Sequence, residues 1–374
     1  MMLSGLKDIK KILIFTGGGI GDVIMSLPTL KSLHECFKDK EIDIAISSRT
    51  RDIIDTLPNW NDIIIWDKGL VKKTISRSII SNYKLFLELR RKQYDLLIDI
   101  ETIESLRAAV KRFVFFKLIN VKKIAGRDTD GKGFFLHYGA KERLLSTEHE
   151  VNRRLSVVEA LGCKISNRNM FLELTDSHID KANNILQARG LTDSDFIVGI
   201  NPNAFRPTRR WGIDRFIMLA KKIRDYYGAK LFIIGGEGDA STLEIILREL
   251  GTKGCFELIG LDLITLAAVI SRLNVLVTND TGPMHIAAAV KTPVVAIFGP
   301  ENPHRYAPYI SDEFRRLVYI NNVSCRPCTK FNCADTKCMN DITVDMVWEN
   351  FKSLVDDLKL RQEQKKIRAI VKTK

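Results

Sequence analysis

The chain has 374 residues, of which 45% are hydrophobic and 28% charged, with a formal net charge of +13. This length favours two domains over one, and the composition excludes a disordered chain. No uninterrupted apolar run is long enough to cross a bilayer, and Met1 to Lys11 shows no leader pattern, so we expect neither a membrane span nor a signal peptide. The basic excess indicates either an anionic partner or a solvated basic surface.

The first half begins with an apolar strand pattern, Lys10 to Phe15, followed by a glycine-rich loop and a helical pattern. Asp22 stands directly after Gly17, Gly19 and Gly21. The glycines allow the backbone to turn tightly and to approach a ligand closely. The motif lacks the Gly-Lys-Ser/Thr of a Walker A loop and the spacing of a dinucleotide fingerprint. Asp22 is therefore either a cap for the following helix or a general base that faces a ligand cleft.

Helical patterns alternate with further strand patterns, which predicts βαβ units and parallel sheets, an α/β fold. The strand patterns are 42–46, 63–66, 96–99 and 123–126 in the first half and 196–200, 231–234, 256–260, 275–277 and 293–298 in the second. We place a first Rossmann-like domain at 1–175, a second at 176–345, and a C-terminal helix with a basic tail at 346–374. Both halves carry ligand-type loops at strand ends, so a central cleft faced by both domains is the simplest arrangement.

Two stretches of the first half mix basic and apolar residues. One contains Lys68, Lys72, Lys73, Arg77, Lys84, Arg90, Arg91 and Lys92, and the other contains Arg107, Lys111, Arg112, Lys117, Lys122, Lys123 and Arg127. Such a stretch can lie on an anionic membrane, or it can form a helix with an apolar face on the core and a wet basic face. We favour the second interpretation for the 107–127 set. The basic tail, 359–374, can be a helix, a disordered arm or a lipid contact.

The segment from Asn279 to His285 dominates the second half. It lies between an apolar strand pattern and a helix of small residues. It contains the carboxylate of Asp280, the hydroxyl of Thr281, the flexible Gly282 and the imidazole of His285. These groups would stand at the carboxyl end of a parallel strand, where a helix N-terminus suits a phosphate.

Two further loops follow strand patterns in the second half. The 201–211 loop carries Arg206, Arg209 and Arg210, which could clamp a diphosphate with Thr208 adding a hydroxyl, or be incidental on a surface loop. Glu237 follows the 231–234 strand in a glycine-rich loop and could accept hydrogen bonds from a ribose or a base.

Four cysteines, Cys325, Cys328, Cys333 and Cys338, form a close cluster near the end of the second half. The short first pair suits a structural zinc or iron site, and free or partly buried thiols are the alternative. A closed four-thiolate site leaves no open position for catalysis. Since we expect a cytosolic protein, we expect its cysteines to be thiols or metal ligands rather than disulfides.

Several segments together resemble the ADP-heptose:lipopolysaccharide heptosyltransferase family, glycosyltransferase family 9. They are 17–30, 207–211, 235–239, 279–289 and 298–303. The resemblance implies a GT-B fold with the acceptor on the first domain and the nucleotide sugar on the second. It also implies an inverting transfer of heptose from ADP-heptose to the inner core of lipopolysaccharide, an anionic glycolipid acceptor of the lipid A–Kdo type.

The resemblance also implies roles for individual residues. Asp22 matches the catalytic base, with Gly19, Gly21 and Arg127 on the acceptor side. Arg209 stands where the family usually has a lysine that contacts the donor diphosphate, and these two cations are not equivalent. The other donor-side residues are Thr208, Glu237, Asp280, Thr281, Gly282 and His285. In some relatives that modify autotransporters, a cysteine-bound iron is part of the fold.

Three functions follow as hypotheses. The first is this heptosyltransferase, with no cofactor needed for the chemistry, placed in the cytoplasm and peripherally on the inner face of the cytoplasmic membrane. The second is a heptosyltransferase of the same fold that acts on a protein acceptor. The third is a basic, metal-stapled module that binds nucleic acid, for which we find no aromatic-basic motif, so we expect no nucleic-acid partner.

Overall fold

The computed structural model describes residues 4–57, 59–66, 75–328 and 330–372, and within the long helices 75–92 and 344–372 it describes the side chains of 83–92 and 344–360. Lys68, Lys72 and Lys73 of the first basic stretch lie outside the described residues. The chain divides into two units, 1–173 and 174–374. Within the described ranges, no helix is both long and apolar enough to span a membrane.

The first unit alternates strands with helices. Its elements are β1 (Lys11–Phe15), α1 (Ile20–Cys36), β2 (Glu41–Ile46), α2 (Arg51–Asp55), β3 (Asp62–Ile65), α3 (Ile75–Lys92), β4 (Leu96–Asp99), α4 (Leu106–Leu118), β5 (Lys123–Thr129), β6 (Tyr138–Glu142) and α5 (Glu150–Ala160). The strands pair in parallel in the order β3-β2-β1-β4-β5-β6. The central strands are buried on both faces, which explains their continuous apolar runs.

The second unit repeats this topology. Its elements are α6 (Asp176–Gln187), β7 (Ile197–Asn201), α7 (Ile213–Tyr227), β8 (Lys230–Gly235), α8 (Ala240–Leu250), β9 (Cys255–Ile259), α9 (Leu263–Ser271), β10 (Val275–Asn279), α10 (Gly282–Ala289), β11 (Val294–Ile297), α11 (Pro303–Tyr306), β12 (Arg315–Val318), α12 (Lys337–Asn340) and α13 (Val344–Lys372). The sheet order is β12-β11-β10-β7-β8-β9, again parallel. Helix α13 packs against α7 and β12.

The predicted α/β fold with parallel sheets is confirmed, but two strands were missed. Strands β6 and β12 lie at the edges of their sheets and contain charged residues. Edge strands often carry charges because one side of the ladder is unpaired, and this weakens their sequence pattern.

A disulfide joins Cys36, at the end of α1, to Cys163, just after α5. The expectation that the cysteines would be thiols or metal ligands rather than disulfides is therefore wrong for this pair. The two residues are 127 positions apart, and only the packing of α1 on α5 brings them together. The bond links the two helices that carry the most important charges of the first unit's site.

Candidate active site

In each sheet the chain reverses its winding direction between two central strands. The reversal falls between β1 and β4 in the first unit and between β7 and β10 in the second. Loops that follow such a pair diverge at the carboxyl ends of the strands and leave a crevice, which is where open α/β sheets bind ligands. The Asp22 segment follows β1, and the loops around Arg209 and Asp280 follow β7 and β10.

The glycine loop of the first unit is shaped by two carboxylates. A Cβ atom at Gly17 would lie 2.9 Å from Glu101 Oε2, and one at Gly19 would lie 2.7 Å from Asp22 Oδ2. The backbone N–H of Gly17 donates to Glu101 Oε1 over 2.7 Å. A larger residue at either glycine would therefore have to displace one of these carboxylates.

Asp22 lies in the first turn of α1, whose N-cap is Gly19, so the residue does not cap the helix. Its side chain is 42% exposed, and Oδ1 is 3.2 Å from Nη2 of Arg154 on α5. The Arg154 side chain is itself 2% exposed. A buried cation thus holds a partly exposed carboxylate at the positive end of a helix.

A network of charges lies behind Asp22. Arg154 also contacts Glu101 at 2.6 Å and Glu150 at 3.4 Å. Burial would lower the pKa of Arg154, but Glu101, Glu150 and Asp22 together raise it. Burial would likewise raise the pKa of Glu101, but Arg154 and then Arg127 hold it below its ordinary value. Arg154 and Glu101 therefore stay charged at neutral pH, and the ion pairs hold these side chains in place.

Arg127 belongs to this network rather than to an accessible surface. Its side chain has no exposed area, and it forms ion pairs with Glu142 at 2.8 Å and with Glu150. Burial would lower the pKa of Arg127, but Glu150 and Glu142 raise it. The geometry gives no support to the predicted direct contact with an acceptor, because a guanidinium enclosed by two buried glutamates has no free face. Gly19 and Gly21, by contrast, lie at the partly exposed start of α1.

The second unit holds its ligand loops with buried amides. Asn279 Nδ2 donates to the Pro202 carbonyl at 2.7 Å, and its Oδ1 accepts from the Trp211 backbone N–H at 3.2 Å. Asn201 Nδ2 donates to Thr278 Oγ1 at 2.8 Å. The ends of β7 and β10 are thereby tied together, and this fixes the two loops that follow them.

Arg209 bridges two acidic residues at this edge. Its Nη1 lies 3.3 Å from Asp280 Oδ2, and its Nη2 contacts Glu301, which also pairs with Arg206 at 2.9 Å. Burial would lower the pKa of Arg209, but Asp280 and Glu301 raise it. The Arg209 side chain is 23% exposed, so it can also face a ligand.

The other predicted donor-side residues occupy three positions. Thr281 is the N-cap of α10 and Gly282 its first residue. Pro283 has no backbone N–H, and the Met284 N–H donates to the Thr281 carbonyl at 3.1 Å, so Gly282 is the residue of this turn whose N–H is placed to face a ligand. His285 is buried within that helix. Thr208 is buried, and its hydroxyl donates to the Lys330 carbonyl at 3.1 Å. Glu237 is exposed in a short 3-10 helix after β8.

The four clustered cysteines line one cavity of about 260 Å3, together with Asp335 and Asp341. Burial raises the pKa of the Cys338 thiol. The charge of Arg326 acts to lower this pKa, and the three other thiols act to raise it. Among the described residues, however, no group of three or more His, Cys, Asp or Glu side chains is disposed to hold a metal ion. A zinc or iron site at Cys325, Cys328, Cys333 and Cys338 therefore stays a prediction.

Sequence reasoning missed the charged network behind Asp22. Its members are Arg154, which contacts Asp22, Glu101 and Glu150, and the neighbouring pair of Arg153 with Glu142. A signal for part of this set exists, because Glu150, Arg153 and Arg154 are spaced to share one face of a helix. Charges at that spacing normally indicate a solvated face. Only the burial of α5 against α1 makes them a network.

Comparison with known proteins places this arrangement in a class. The model of glycosyltransferase family 9 (heptosyltransferase) matches residues 82–339. Lipooligosaccharide heptosyltransferase 2 of Campylobacter jejuni is 28% identical over 92% of this chain and 98% of its own length. A GT-B glycosyltransferase has two parallel sheets, each with loops at the point where the winding direction of the chain reverses. This chain has that arrangement and is an enzyme of that class.

Two solved structures share the fold. A glycosyltransferase family 9 protein from Veillonella parvula superposes with a TM-score of 0.74 at 25% identity, covering 92% of this chain and 97% of its own. The ADP-heptose lps heptosyltransferase II of Escherichia coli superposes with a TM-score of 0.69 at 22% identity, covering 94% of this chain and 99% of its own. The chain belongs to glycosyltransferase family 9, as its motifs implied, and the interpretation as a non-enzymatic nucleic-acid module has no support.

Proposed function

We propose that this protein is an inverting heptosyltransferase that moves heptose from ADP-heptose to the inner core of lipopolysaccharide. The names of its relatives supply the substrate class, and the geometry of Asp22 carries the proposal. Among the acids of its network, Asp22 has the most exposed side chain, while Glu142 and Glu150 are buried. A carboxylate held by a buried arginine at a strand end is well placed to take a proton.

The proposed step is a single displacement. Asp22 accepts the proton of the acceptor hydroxyl as its oxygen forms a bond to the anomeric carbon on one face of the sugar. The bond from that carbon to the diphosphate oxygen breaks on the opposite face, and the electron pair leaves with ADP. The configuration at the anomeric carbon inverts, and the proton ends on Asp22.

The leaving diphosphate gains negative charge, which a positive group or N–H donors must stabilise. Arg209 and the Gly282 backbone N–H at the start of α10 supply such groups at the same edge of the second sheet. Because the chain itself provides these donors, we propose that the chemical step needs no cofactor. Full activity in the presence of EDTA would support this, and loss restored by a divalent cation would contradict it.

A transfer assay tests the function as a whole. The protein is incubated with ADP-heptose and a lipid A–Kdo acceptor, and the product mass is measured. One added heptose with release of ADP is expected, and no transfer to that acceptor but transfer to a protein would contradict the lipopolysaccharide assignment. Thermal-shift measurements with ADP-, UDP- and GDP-sugars test the donor, with the largest shift expected for the ADP-sugar. We place the enzyme in the cytoplasm and peripherally at the inner membrane face, where a lipid-borne acceptor would be met.

A further inference from the structure

Helix α4 has an apolar face that does not pack on the sheet. Its inner side buries Ala109 and Phe116, and Arg112 turns inward to pair with Asp99 at 2.9 Å. Its outer side exposes four aliphatic residues, Leu106, Val110, Val114 and Leu118, with relative exposures of 63, 46, 47 and 49%. Residues four apart lie along one side of a helix, so they form a continuous stripe. A helix that only covers a core normally has polar residues there.

The other exposed residues of α4 are all cationic. They are Arg107, Lys111 and Lys117, and the helix contains no acidic residue. We call these three cations and the aliphatic stripe the outer face of α4. The expectation of a wet basic face for this stretch was therefore incomplete, because the cations are interleaved with aliphatic side chains.

Neighbouring elements extend this surface. Arg90, at the basic end of α3, donates to the Leu118 carbonyl at 2.8 Å, so further cations stand beside the end of α4. Phe134 is 58% exposed and packs 5.7 Å from Phe113, which widens the apolar area on another side. Glu104 is the nearest acid in sequence, and it precedes the Ser105 N-cap.

We infer that the outer face of α4 docks on an anionic lipid bilayer. Aliphatic side chains can enter the boundary between headgroups and acyl chains, while the long stems of lysine and arginine let their charges reach lipid phosphates. Two of the three cations are lysines, which are depleted at protein interfaces, and the outer face contains no tyrosine, tryptophan or methionine, which are enriched there. Charge complementarity therefore favours an anionic membrane over a protein partner.

The position of α4 connects this surface with the site. The helix begins after the loop that follows β4, at the carboxyl edge of the first sheet where Glu101 and Asp22 also lie. Docking would bring that edge close to lipid headgroups. The lipid-borne acceptor belongs to the proposed function, whereas the docking itself can be measured without any substrate.

Vesicle flotation of the full-length protein tests the inference. The vesicles are phosphatidylcholine alone or with 30% phosphatidylglycerol, roughly the range of anionic content at which basic segments bind. The wild type should float with the anionic vesicles and lose binding as salt is raised. The double variant Val110→Glu/Val114→Glu should bind at least about tenfold more weakly, because it places two acids in the stripe. Ile245→Glu, an exposed aliphatic residue on α8, should bind like the wild type.

Several outcomes would overturn the inference. Equal flotation of the wild type and the double variant would do so, as would binding that ignores lipid charge. Self-association of the wild type, lost in the double variant and seen without lipid, would instead identify a protein interface. Turnover of a delipidated, soluble acceptor should be the same in both proteins, since neither valine lies in the site. Absence of turnover in both would count against the proposed function and leave the docking result standing.

Discussion

Arg154 Nη2 lies 3.2 Å from Asp22 Oδ1, although the two residues are 132 positions apart in the chain. The arginine is buried and the aspartate is partly exposed. The same guanidinium contacts Glu101 and donates to Ser26 Oγ at 2.8 Å. Arg154 is thus a positioning residue for the proposed base, and its contact holds the Asp22 side chain in a fixed orientation.

Asp22→Asn should abolish most of the transfer. Loss of a general base is expected to lower kcat by about 10²- to 10⁴-fold, while the calorimetric affinity for ADP stays unchanged because the proposed donor contacts lie in the other unit. Asp52→Asn is the matched control, since Asp52 is an exposed aspartate in the first turn of α2. Near-normal turnover in Asp22→Asn would rule out Asp22 as the base.

Arg154→Ala should destabilise the first unit. Removing one member of a buried ion-pair network leaves the remaining charges uncompensated, so the free energy of unfolding should fall by about 3–5 kcal/mol. Arg168→Ala removes the exposed pair with Glu159 and should cost less than about 1 kcal/mol. Urea denaturation at neutral pH measures the free energy of unfolding of both variants. Equal, small decreases in the two variants would show that the network contributes little to stability.

Arg209→Ala should weaken ADP binding by about 10- to 100-fold, because charge-assisted hydrogen bonds to a diphosphate are strong. Arg209→Lys should keep part of the affinity, since charge is retained but the forked geometry is lost. Arg248→Ala, an exposed arginine in the last turn of α8, serves as the control. Unchanged calorimetric affinity in Arg209→Ala would remove this residue from the donor site.

Asp95 should contribute to acid stability. Burial would raise its pKa, but Lys122 and the backbone N–H groups of Lys10 and Lys11 lower the pKa of Asp95 to about 2, from the ordinary 3.8. Because the folded-state pKa lies below the unfolded one, the stabilisation is present above about pH 4 and is lost as the pH falls toward 2. Asp95→Asn should therefore differ from the wild type in unfolding free energy at pH 6 and approach it near pH 2. A difference that does not change with pH would contradict this assignment.

Cys338 should react slowly with alkylating reagents. Burial and the neighbouring thiols raise the pKa of Cys338, so it holds little thiolate at pH 8, and its burial also hides it from reagents that reach the exposed Cys325 and Cys333. Mass spectrometry after timed alkylation should show this order. Added Zn²⁺ should protect all four clustered cysteines if the loop closes on a metal, while Cys255, a buried thiol outside the cluster, should not respond. Unaltered labelling with Zn²⁺ and no zinc or iron in the purified protein would dismiss the predicted metal site.

The sequence by itself determined the α/β class and most strands, because strands such as β1 and β10 are buried runs whose apolar pattern is local. It also singled out Asp22, Arg209 and Asp280, since each lies in the loop or the first helical turn that follows a strand pattern. Family resemblance then assigned them a chemistry that periodicity alone does not contain.

Only the tertiary structure decided what surrounds those residues. The resemblance put Arg127 on the acceptor side, but Glu142 and Glu150 enclose it, since burial depends on packing between distant segments. The Cys36–Cys163 bond and the Asp22–Arg154 pair arise in the same way, from the packing of α1 against α5. A local pattern shows which face of a helix is apolar, but whether another element covers that face is settled by long-range contacts, as the outer face of α4 illustrates.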